Sequence, residues 1–116
     1  MSDQRIKIVS LLVERTDGGK LSWEDGFDEE TFKVDIGNNT VVIAEKKKNG
    51  ANTIVIRLYD ALGKLVETFD DEDLPAPEDD QYYWYGAMLS LLESARRNAL
   101  GADEVIDNII SGLEGI

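Results

Sequence analysis

Tyr82-Tyr83-Trp84-Tyr85 is where this sequence concentrates binding chemistry. Tyrosine and tryptophan carry large apolar rings with a polar tip and are enriched at the energetic centres of interfaces. Successive residues on a helix point about 100° apart, so four in a row surround a helix start, and a core on one side accepts only some of them. Tyr82, Tyr83, Trp84 and Tyr85 are therefore the candidate interaction residues. The plainer reading places two rings in the core, one along the preceding segment and one half in water, because scattered exposed aromatics are ordinary.

Carboxylates are the second chemical resource. The formal net charge is −12, and its location matters. Residues 24–30 hold five acidic side chains and residues 70–80 hold seven, with no basic residue in either stretch. These two segments account for the whole excess, and the rest of the chain is neutral. A calcium loop of the EF-hand type needs alternating oxygen ligands and a glycine at its sixth place, where counting from Asp70 gives Pro75. A solvated acidic loop is the better reading, and no metal is expected. Paired-carboxylate catalysis needs two acids fixed across a cleft, and nothing in the sequence makes any two of Asp35, Asp60 and Glu67 converge.

The absences narrow the chemistry further. Without histidine there is no Ser-His-Asp triad and no ordinary zinc site, and without cysteine there is no thiolate nucleophile or disulfide framework. Gly18-Gly19 and Gly63-Lys64 lack the remainder of a phosphate-binding loop. Arg96-Arg97 and the lysines at 46–48 do not form the concentrated positive patch that nucleic acid demands. No enzymatic activity, cofactor, direct nucleic-acid binding or membrane association is expected. The apolar run at 8–13 is too short and too closely flanked by charge for a span or a signal peptide, so a cytoplasmic location is expected.

The elements that position these residues follow from periodicity. Ser2 is the expected N-cap of a helix over 3–15, with Ile6, Val9, Leu12 and Val13 at helical spacing; a strand is the rival, since residues 5–8 alternate. Trp23 lies on a short extended piece ahead of the first acidic loop. Phe32, Val34 and Ile36 alternate with polar residues and mark a first strand. Gly37-Asn38-Asn39, Asn49-Gly50 and Asp60-Ala61-Leu62-Gly63 supply three turns that divide residues 32–69 into a four-stranded antiparallel meander. Its inner strand, 53–60, turns Ile54, Ile56 and Leu58 to one face and Val55, Arg57 and Tyr59 to the other. Pro75, Pro77 and like charges make 70–80 an extended linker. A main helix over 81–100 turns Tyr85, Met88, Leu89, Leu92, Ala95, Arg96 and Ala99 inward, and a last helix capped by Asp103 carries a stripe of Val105, Ile106, Ile109, Ile110 and Leu113.

The expected fold is thus α+β: one domain over 1–116, with a four-stranded meander flanked on one face by an N-terminal helix and two C-terminal helices. The function expected is that of a protein–protein interaction module whose partner is another protein or a second copy of itself. The alternative is an acidic inhibitor that imitates nucleic-acid phosphate and occupies a basic protein.

Overall fold

The computed structural model describes residues 3–116 and has an α+β fold. Helix α1 (Gln4–Asp17) is followed by strands β1 (Glu24–Asp25), β2 (Thr31–Ile36), β3 (Asn39–Lys48), β4 (Ala51–Tyr59) and β5 (Leu65–Asp70). One 3₁₀ turn, Asp71–Asp73, leads to α2 (Tyr83–Ala99) and α3 (Ala102–Glu114). The strands form one antiparallel sheet in sequential order β1-β2-β3-β4-β5.

The turns set the register. Gly37 at φ 61° gives β2–β3 its two-residue link, while Asn49 and Gly50, at φ 53° and 81°, give β3–β4 the double left-handed turn that Asn-Gly favours. In the β4–β5 hairpin the Asp60 carboxylate accepts the N–H groups of Leu62 and Lys64, and Gly63 sits at φ 81°. With this register Phe32, Ile43, Ile56 and Phe69 form a row across four strands, flanked by Val34, Val41 and Ile54, all buried. The side chains from α1 that close this core are Val9 and Leu12; those from α2 are Trp84, Met88, Leu91, Leu92 and Ala95.

The sheet has five strands where the pattern predicts four. Glu24–Asp25 has poor strand propensity, yet it pairs with Lys33 and Phe32 because Trp23, 4% exposed, is anchored beside it. The Trp23 amide donates to Asn98 Oδ1 at 2.6 Å and its indole Nε1 donates to Thr16 Oγ1 at 3.0 Å, which ties the ends of α1 and α2 to the edge of the sheet. Nothing in local sequence links Trp23 to Asn98.

Three further expectations are corrected. Ser2 lies outside the described residues, and Asp3 caps α1, accepting the Arg5 amide at 2.9 Å. Residues 70–80 are not a free extended linker: Asp70 and Asp73 close a capping box around the 3₁₀ turn, and Leu74 enters the core. The third concerns α3, which does not pack on the sheet. It has no buried residue and meets the rest of the chain chiefly through α2, so only α1 and α2 cover the core face. Asp103 does not cap it either: Gly101, at φ 64°, takes the N-cap position, and Asp103 pairs with Arg97 at 2.6 Å.

Candidate functional site

The four candidate rings divide as their directions around α2 require. Trp84 points inward, 8% exposed, and its Nε1 donates to the Pro75 carbonyl at 3.0 Å, which pins the end of the acidic segment to the helix. Tyr85 is half-buried against the core. Tyr83 is 46% exposed and sets its ring edge-on to Trp84, with centroids 4.8 Å apart, while Tyr82 is 69% exposed. The sequence pattern turns Tyr85 inward most directly, whereas Trp84 and Leu91 take that place. Met88, Leu92 and Ala95 of the expected inward face are buried, and the buried face widens toward Trp84 and Leu91 while Tyr85 stays half-buried.

The carboxylates of 70–80 are engaged close to home. Asp71 Oδ1 accepts the Ile54 amide of β4 at 2.8 Å, Asp70 Oδ1 accepts the amides of Glu72 and Asp73, and Asp80 Oδ1 accepts the Tyr82 amide. Lys48 adds an ion pair to Asp70 at 3.3 Å, and the hydrogen bond it donates to that carboxylate raises the lysine above its ordinary pKa. Similarly, the hydrogen bond that Lys33 donates to Glu24, its cross-strand neighbour at 2.9 Å, raises the pKa of Lys33. The other acidic loop folds over the outer face of the sheet: Phe27 meets the Tyr59 ring at 5.2 Å and lies under the Lys33 ammonium, and Asp28 pairs with Arg57. Asp35 accepts the Thr40 hydroxyl and Asp60 closes its own turn, so these two carboxylates also have structural duties. Among the described residues no group of three acidic side chains is placed to hold a metal ion.

Two larger apolar surfaces stand open among the described residues. On α3, Val105, Ile106, Ile109, Ile110 and Leu113 are each at least 42% exposed and share one face. The periodicity of this stripe is legible in sequence and implies burial, but Gly101 turns the chain so that the stripe does not reach the sheet. The second surface is a cleft of about 650 Å³ between α1 and the end of the sheet where β2 turns into β3 and β4 into β5. Ile8, Leu11 and Leu12 form its helix wall, and Ile36, Leu58 and Val66 its floor. Arg15 and Lys20 stand with Asp60 among its polar lining. Sequence reasoning does not find this cleft, because its walls come from residues far apart in the chain, Ile8 and Leu11 on α1 against Leu58 and Val66 of the sheet.

No family model matches the chain, and neither the curated proteins nor the solved structures include a detectable match to it.

Proposed function

We propose that this chain is a protein–protein interaction module that pairs with a second copy of itself. The observation that carries this reading is α3, a helix of 13 residues with none buried and with five large aliphatic side chains along one face. That stripe presents on the order of 450 Å² of mostly apolar surface, comparable to the largest patch on a typical soluble monomer, which is often functional. A helix so short is marginally stable on its own in water, so it gains order from whatever covers it. Tyr82 and Tyr83 form a smaller exposed spot, and one of these two rings already leans on Trp84. The main contact is therefore assigned to α3 and a secondary one to the tyrosines.

The acidic-mimic reading draws less support. A mimic needs carboxylates laid out toward a partner, and Asp70, Asp71, Asp73 and Asp80 are instead directed at backbone amides of the chain itself.

Sedimentation equilibrium from low to high micromolar protein tests the proposal. A reversible monomer–dimer equilibrium is expected, and Tyr82→Ala/Tyr83→Ala weakens it less than Ile109→Glu does. A monomer throughout that range removes the reading.

A further inference from the structure

We infer that α3 of one copy docks into the cleft between α1 and the sheet of a second copy, reciprocally about a twofold axis. This rests on the self-association reading above and names the surface that receives α3. The fit is first one of volume. Five aliphatic side chains occupy on the order of 500 Å³ at the packing density of a protein interior, and the cleft offers about 650 Å³.

Area agrees with volume. Two equivalent dockings, each covering an α3 stripe and the smaller surface that lines the cleft, bury on the order of 1,300 Å² in all, near the lower end of a standard stable interface. One docking alone buries about half that and makes a weaker contact, which reciprocity strengthens.

Charge then selects between the possible arrangements of two copies. The polar residues of α3 include Asp103, Glu104, Asp107 and Glu114 and no cation. Pairing α3 with its own symmetry mate sets two acidic helices side by side, with Asp103 alone offset by Arg97, and like charges held close disfavour that contact. The cleft presents Arg15, itself paired with Glu14 at 2.6 Å, and Lys20 against the carboxylate of Asp60, a lining less acidic than α3. Docking also completes the fold as patterned: the core face of each sheet then carries three helices, the third supplied by the partner. Within one chain only Leu100 and Gly101 lie between the ends of α2 and α3, and the stripe stands clear of its own sheet.

Two substitutions at exposed positions separate the possibilities. Ile109→Glu spoils the docking helix and leaves the cleft intact; Leu11→Glu, at a position 40% exposed on α1, spoils the cleft and leaves the helix intact. Analytical ultracentrifugation is expected to show a wild-type dimer, loss of dimerisation by more than about a hundredfold in each variant, and recovery of a heterodimer in an equimolar mixture, where one intact docking can form. Circular dichroism and thermal unfolding of each variant establish that it is folded. A dimer that survives Leu11→Glu but not Ile109→Glu overturns the cleft as receptor while leaving self-association through α3 standing. A mixture in which no heterodimer forms even at high micromolar protein overturns the docking of α3 into the cleft, and a monomeric wild type removes both this inference and the reading beneath it.

Discussion

Single side chains carry more of this fold than their positions in the sequence announce. Gly26 lies where a Cβ atom would come within 2.1 Å of Thr31 Oγ1, at the point where the Gly26 amide donates to the Thr31 carbonyl. The expected consequence of Gly26→Ala is a loss of about 1–3 kcal/mol from overpacking, read in urea unfolding, with the loop over the outer face displaced. Asp71 is a second such residue, because its carboxylate alone reaches across to the Ile54 amide. Asp71→Ala leaves that part-buried donor unpaired and costs about 1–3 kcal/mol. At Asp3 the hydrogen bond from the Arg5 side chain holds the carboxyl below its ordinary value of 3.8. Its folded pKa is depressed, so its contribution is present above pH 3.8 and is lost as pH falls through the lower folded value. A carboxyl titration by NMR places Asp3 below 3.8, and amides at the start of α1 lose protection as it protonates.

Among the elements, α3 differs in kind from α1 and α2. The latter two bury apolar side chains against the sheet, whereas α3 has the same amphipathic pattern and no cover. Ile109→Ala at a dilution where the chain is monomeric therefore changes unfolding free energy by no more than about 0.5 kcal/mol, as for other exposed positions. Ile56→Ala, at a fully buried position in β4, costs about 2–5 kcal/mol under the same conditions. Hydrogen exchange gives the complementary reading: α3 amides exchange rapidly in dilute protein and slow as concentration rises, while those of β3 and β4 do not respond. Equal protection of α3 at every concentration contradicts its stabilisation by a second copy.

For the whole molecule, shape and charge act together. The radius of gyration is 15.9 Å, against roughly 13 Å for a compact chain of about this length, and the excess reflects a helix that stands off the body. Each copy carries a net charge of −12, which opposes pairing at low ionic strength more than the few cations at the cleft edge favour it. Association through apolar surface is thus expected to tighten as salt screens that repulsion. Binding of an acidic mimic to a basic partner weakens with salt instead, so the sign of the dependence separates the two readings. The thermal midpoint is likewise expected to rise with protein concentration, since a partner that binds only the folded state stabilises it by mass action.

Local patterning determined the meander, its three turns and the amphipathic helices, because a two-residue period, Asn-Gly pairs and three- to four-residue apolar steps depend on near neighbours. It also limited the four aromatic rings to partial burial, since a helix spreads consecutive residues around its axis. Tertiary structure alone decided which rings those are, that Trp23 would meet Asn98 across the chain, and that acidic residues 70–73 would cap backbone and not swing free. It decided too that α3 and the cleft would both be left open. A stripe in sequence states that a face seeks cover; only the path of the chain through Gly101 determines whether its own sheet can provide it.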